Sequence, residues 1–169
     1  MKGKWAQGIV PRNFGWVIKD QLAVSERLGG YGDNHRRVRR QEEIIWVKEQ
    51  GFARVISLLA SPHNLHAYDE LGLPWLHYPF GSHDDPAVAL VPFWRDLGAQ
   101  LAAGDKVLVH QDELSDRLQG AVGGYLVYAG LVPEVPRAVA IVERVLGRHL
   151  GPAGREIVAA AARLVAADE

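Results

Sequence analysis

Residues 106–110 (KVLVH) form a short, nearly continuous apolar run that empties into a polar loop, 111–116, and then into a helical periodicity. A run so short and so apolar suits a strand buried on both faces, and such strands belong to parallel sheets covered by helices. The pattern recurs along the chain. Residues 54–59 (RVISLL) read as a second strand, broken by Ser61-Pro62, and residues 75–80 (WLHYPF) as a third, reached through a short helical segment at 65–71 and a turn at Gly72 and Pro74. Near the start, residues 13–18 (NFGWVI) and 22–25 are aromatic or β-branched runs joined by a tight connection at 19–21.

Helical patterns fill the intervals. After a glycine-rich loop at 28–33, Asn34 serves as the N-cap of a helix that runs basic to Arg40, turns apolar at Ile44, Ile45 and Val47, and stops at Gly51. Leu90, Trp94, Leu97 and Leu101 recur at steps of 4, 3 and 4, which places them on one face of a helix ended by Gly104. Beyond the 111–116 loop, Leu118, Ala121, Val122, Tyr125, Leu126 and Ala129 share a stripe, with Ser115 or Asp116 as N-cap. Val135, Val139, Val142 and Leu146 mark a further helix. Gly151-Pro152 separates it from a last one carrying Ile157, Val158, Ala161, Leu164 and Val165. The order predicts an α/β fold, a central, mostly parallel sheet flanked by helices on both faces. A length of 169 residues suits one domain spanning 1–169, with residues 1–12 read as an N-terminal arm.

Composition narrows the function. Lys and Arg total 19 against 20 Asp and Glu, a net charge of -1, so no global positive field draws the chain to nucleic acid or anionic lipid, and neither is an expected partner. Residues 1–10 hold no apolar run of signal-peptide length and no later segment approaches a spanning helix, so the expectation is a cytoplasmic protein. The count of cysteine is zero. That removes disulfides, thiolate metal sites, iron–sulfur clusters and every mechanism with a thiolate nucleophile. Oxygen or nitrogen chemistry remains, or binding alone.

In folds of this class, ligands sit beyond the carboxyl ends of strands, where a loop enters a helix N-terminus. Residues 107–117 (VLVHQDELSDR) fit that place. A buried strand ending in His110, then Gln111, five residues, Arg117, and Tyr125-Leu126 eight residues later resembles, without a gap, the signature of the small, single-domain dual-specificity phosphatases of the protein tyrosine phosphatase superfamily. The opening NFGWVI with the strand at Leu22, the segment FARVISLL and the terminal helices resemble the same family. The resemblance implies its fold, a loop-ordering role for His110, an anion-holding Arg117, and a general-acid loop at His83, Asp84 and Asp85.

The signature also departs from the family's. The family's thiolate attacks phosphorus from a ring of backbone N–H groups. Gln111 stands in that position, and its amide nitrogen has no available lone pair. Leu114 replaces a glycine that lets N–H groups turn inward, and Leu118 replaces the Ser or Thr after the arginine. Asp112, Glu113 and Asp116 add three carboxylates. At ~4–6 Å and an effective dielectric near ~20, each carboxylate set against a bound anion costs on the order of several kcal/mol before screening.

For Arg117 the favoured reading is a pair with Asp112, Glu113 or Asp116, and the other is residual anion binding. Asp84 and Asp85 read as turn chemistry first and as a leftover general acid second. His77, His83 and His110, with Asp84 or Glu113, have no metal-ligand spacing and read as structural, so no metal and no cofactor is expected. The basic run of residues 35–40 (HRRVRR) reads as a solvated helix face, or as a docking patch for an acidic or phosphorylated partner. The expected function is that of a pseudophosphatase, with the degenerate loop His110, Gln111, Asp112, Glu113, Leu114, Ser115, Asp116 and Arg117 and no confident catalytic residue, acting by binding a protein or phosphorylated ligand. The alternative is a phosphoric monoester hydrolase in which Asp112 or Glu113 activates water and Arg117 holds the oxyanion.

Overall fold

The run that opens into the polar loop is the middle strand of the sheet. The computed structural model describes residues 8–29, 37–61, 65–112 and 115–168. Among them, β1 (Gly15–Ile18), β2 (Leu22–Glu26), β3 (Arg54–Ser57), β4 (Trp75–His77) and β5 (Val107–Gln111) form one sheet in the order β1-β2-β5-β3-β4. Only β1 is antiparallel to its neighbour; β2, β5, β3 and β4 run parallel. β5, with strands on both sides and helices on both faces, has no exposed position from Val107 to His110. Its alternation serves both layers. Val107 and Val109 join Leu22, Val24 and Ile56 in the larger core, whereas Leu108 joins Ala23 and Val55 in the smaller one.

Each core belongs to its own helices. The helices α4 (Val91–Ala102), α5 (Asp116–Tyr128), α6 (Val135–Leu146) and α7 (Pro152–Ala167) supply the larger core, and α1 (Arg37–Glu49) with α2 (His66–Glu70) the smaller. The predicted fold class is thus the observed one. α5 is buried nearly all round rather than along one stripe, because the sheet, α4, α6 and α7 surround it. Ala129 is an exception to the predicted stripe, since it is the exposed C-cap of that helix. Among the described residues no helix is long and apolar enough to cross a membrane.

Several boundaries moved for local reasons. The run 75–80 pairs only through His77, because after Tyr78 donates its N–H to the Ser57 carbonyl the chain reaches Pro79, which has no N–H to give. Residues 58–59 leave β3 for the site loop, although Leu58 still donates to the His110 carbonyl at 2.9 Å. Pro86 opens a four-residue helix, α3 (Pro86–Ala89), directly after the loop that carries His83, Asp84 and Asp85. Ser115, not Asp116, caps α5, its hydroxyl accepting the Leu118 N–H at 3.1 Å. The predicted N-cap Asn34 and residues 30–33 of the glycine-rich loop lie outside the described residues, as do His35 and Arg36 of the basic run.

Candidate functional site

Parallel strands end together, so the carboxyl ends of β3, β4 and β5 open onto one edge of the sheet, and the chain turns there into the N-terminus of α5. A cavity of about 260 Å³ lies at that edge, lined by Leu59, Phe80, Gly81, Gln111, Ser115 and Arg117, among others. Gln111 ends β5 on the same face as Val109, and its carboxamide is fully engaged. The Nε2 group donates to the carbonyls of Leu58 at 3.1 Å and Phe80 at 3.4 Å, and the Oε1 atom accepts the Ser115 hydroxyl at 3.0 Å. The side chain ties the β3 end, the segment after β4 and the α5 cap together at the mouth of β5.

His110 points to the other face and is fully buried. Its Nδ1 lies 3.1 Å from the Gln111 carbonyl, which can only accept, so Nδ1 carries the proton and Nε2 accepts the Tyr68 hydroxyl at 3.0 Å. Burial pushes this imidazole down to about 4 and holds the Tyr68 phenol far above its usual range. The histidine is a neutral structural link between β5 and α2.

Of the expected partners of Arg117, Asp112 and Asp116 are engaged elsewhere, and Glu113 lies outside the described residues. Asp112 turns instead to Arg27, with oxygen and nitrogen 3.2 Å apart. Asp116 accepts the backbone N–H groups of Gly151 at 2.5 Å and Gly154 at 2.8 Å, at the start of α7. The reason is helical geometry: Asp116 and Arg117 are the first two residues of α5, and successive side chains of a helix diverge by about 100°. One faces α7 and the other faces the cavity. Arg117 donates from Nη2 to the Gly81 carbonyl and stacks its guanidinium 4.2 Å from the centre of the Phe80 ring. No carboxylate among the described residues forms an ion pair with it; partial burial lowers its pKa and the nearby Asp84 charge opposes that shift. Glu113 and Leu114 lie outside the described residues. The expected crowding of carboxylates around an anion is accordingly removed for Asp116 and moderated for Asp112.

The neighbouring loop carries Asp84 and Asp85 in turn-forming roles. Asp84 accepts the Gly81 N–H at 2.6 Å, and Asp85 is the N-cap of α3, accepting the Ala87 N–H at 3.0 Å. His77 bonds the Leu59 carbonyl at 2.7 Å. Among the described residues no group of three or more His, Asp or Glu side chains is arranged to hold a metal ion. Sequence reading missed Phe80 as the ring beneath Arg117, Arg27 as the partner of Asp112 and Tyr68 as the partner of His110. Only Phe80 left a trace there, as the last residue of an apolar run.

No family model matches the chain, and no curated protein matches it. Solved structures do. Kinase associated phosphatase, crystallised with its catalytic-site cysteine replaced by serine, aligns with a TM-score of 0.76 over 94% of this chain and 98% of its own, at 18% identity. Human DUSP28 aligns at 0.68 over 94% of this chain and 99% of its own, at 14% identity. The human tyrosine phosphatase-like serine/threonine/tyrosine-interacting protein aligns at 0.64 over 92% and 97%, at 16% identity. What these similarities and the strand order establish is the fold: a central, mostly parallel sheet flanked by helices, as in the dual-specificity and protein tyrosine phosphatases.

Proposed function

We propose that this chain is a phosphatase-fold protein without phosphatase chemistry, a pseudophosphatase that binds an anionic group of a phosphorylated ligand or partner beside Arg117. The observation that carries the reading is the engagement of Gln111. Its carboxamide ends the strand where the resembling enzymes present a thiolate, and its nitrogen and oxygen are held by Leu58, Phe80 and Ser115. A carboxamide nitrogen delocalises its lone pair into the carbonyl and does not accept a phosphoryl group. The chain has no cysteine to stand in for it. Binding still has support. Arg117 faces the cavity with no carboxylate ion pair among the described residues, its guanidinium stacked on Phe80, and the N-terminal N–H groups of α5 begin beside it. Asp84 and Asp85 shape the loop instead of carrying a proton to a leaving group.

Orthovanadate and inorganic phosphate, titrated against the melting temperature, test the reading. The wild type is expected to melt higher with either anion, since a ligand at 100 times its Kd adds about 2.7 kcal/mol. Arg117→Met, which keeps an unbranched apolar side chain and removes the guanidinium, is expected to lose the shift. The wild type is expected to leave p-nitrophenyl phosphate at the buffer rate. Turnover above buffer that falls in Arg117→Met replaces this reading with the carboxylate-activated hydrolase, and no anion-dependent shift in the wild type ends the binding proposal.

A further inference from the structure

A second cavity, of about 450 Å³, opens at the other end of the sheet. It is lined by Ile18 at the end of β1 and Gln21 just before β2, whereas Glu26 at the far end of β2 is level with Gln111. Four strand steps of about 3.3 Å separate Leu22 from Glu26, so the two cavities lie roughly 13 Å apart along β2. The volume is in the range of small-molecule sites, ~300–1,000 Å³.

Its chemistry differs from that of the Arg117 pocket. The wall is built from Ile18, Leu101, Leu131 and the Trp94–Tyr128 pair, whose rings stack with centroids 5.4 Å apart. The Trp94 N–H is already spent on the Ala121 carbonyl at 2.9 Å. Tyr125 is the exception. It is only 3% exposed, it lines the cavity, and its hydroxyl has no hydrogen-bond partner among the described residues. The buried hydroxyl of Tyr68 and the hydroxyl of Tyr78 each have one, in His110 and Asp96. Tyr125 Oη is itself open to the cavity, so a ligand there can receive it in place of water. Burial raises the phenol above its ordinary range, which keeps it a neutral donor.

A cation lines the same cavity as that donor. Tyr125 Oη comes within 4.0 Å of where a Cβ on Gly98 would be. Arg95 precedes Gly98 by three residues on α4, hence on the same face, and it lines the cavity without an ion pair among the described residues. One hydroxyl donor and one guanidinium thus line a cavity that also has an apolar, aromatic wall. A lone guanidinium with one neutral donor suits a monoanion, and the stacked rings suit a planar one. We propose that this cavity is a binding site for a small aromatic carboxylate, its ring against Ile18, Leu101 and the Trp94–Tyr128 pair and its carboxylate received by Tyr125 and Arg95. The site is independent of the anion pocket at Arg117.

Amide-resolved NMR titration with naphthalene-2-carboxylate and the neutral naphthalene-2-carboxamide tests it. Both probes are expected to shift Gly98, Leu131 and the Trp94 indole N–H while leaving Gly81 and Ser115 in place. Arg95→Met is expected to weaken the carboxylate about tenfold and leave the carboxamide unchanged, and Tyr125→Phe to weaken both about fivefold. Gly98→Leu, which fills the space under the Tyr125 hydroxyl, is expected to abolish binding of both probes with the rest of the spectrum intact. Absence of shifts at millimolar probe, shifts confined to the Arg117 pocket, or affinities unchanged in Arg95→Met and Tyr125→Phe each overturn the proposal.

Discussion

The two faces of the sheet are closed by different means. On the face that carries the Arg117 pocket, helices meet almost backbone to backbone: a Cβ on Gly120 of α5 would stand 2.7 Å from the Gly154 Cα of α7. The opposite face is closed by rings. Phe14 meets Trp16, Trp46 and Phe52 edge to face at centroid distances of 5.0–6.1 Å, and Trp16 stacks on Phe52 at 5.6 Å. β5 divides its residues between the two, with Val107, Val109 and Gln111 on the first and Leu108 and His110 on the second. Close backbone contact fixes where α5 starts, and with it the direction of Arg117. Ring packing leaves lateral freedom and sets the position of the site only indirectly, through His110.

The largest effect is expected where backbones touch. In Gly154→Ala the new methyl would lie 2.6 Å from the Asp116 carbonyl oxygen, 2.6 Å from Asp116 Oδ1 and 2.5 Å from Leu150 Cδ1. Helix propensity favours the alanine by about 1 kcal/mol. The collision outweighs it, because the Leu150 methyl can swing aside but the Asp116 carbonyl belongs to the first turn of α5. A net loss of about 3 kcal/mol in urea unfolding is expected, together with loss of the vanadate-dependent melting shift as α5 is displaced. A variant as stable as the wild type would show that the helix pair slides freely, and the contrast between the faces would fail.

This interface also marks how far the sequence could be read. The strands at 54–57 and 107–111 were legible because burial on both faces leaves an unbroken apolar run, and helix ends were legible through Ser115 and Gly151-Pro152. Position 111 was legible for the same reason: the strand before it and the Arg117–Tyr125 spacing after it fix the register. The partners of the carboxylates were not. Asp112, Asp116 and Arg117 crowd together in the chain, yet the helix start sends Asp116 to α7 and Arg117 to Phe80, while Asp112 meets Arg27 at the end of β2. Those partners are 35 to 85 residues away in the chain, and no local pattern names them.

On the ring-closed face the main sensitivity is to acid. His110 is buried and its pKa is lowered to about 4 from an ordinary value of 6.5. Between these values the unfolded chain binds a proton that the folded chain refuses. Stability is therefore complete above about pH 6.5 and declines as pH falls toward 4, by on the order of 3 kcal/mol across the window. Urea midpoints from pH 7 to pH 4.5 measure it, with His110→Gln as the control for the carboxylates that titrate in the same range. The wild type is expected to show the steeper decline. Equal slopes would mean that the His110–Tyr68 link opens to water at little cost.

The smallest effect is expected at the rim of that same face. Lys106 holds its ammonium 5.7 Å from the centre of the Trp16 ring and 5.6 Å from that of Phe52, and donates to the Gln50 carbonyl at 2.7 Å. Lys106→Met keeps most of the stem over the rings and removes the charge. Cation–π attraction at half-exposed sites contributes about 0.5–1 kcal/mol, and the lost carbonyl bond is regained from water. A destabilisation of about 0.7 kcal/mol in urea unfolding is expected, with no change in the vanadate-dependent shift, because Trp16 and Phe52 can resettle around the thioether without moving β5. A loss as large as that of Gly154→Ala, or a change in anion binding, would mean that the ring-closed face transmits strain to the site as directly as the α5–α7 contact does. The position of Arg117 would then depend on both layers of the sheet.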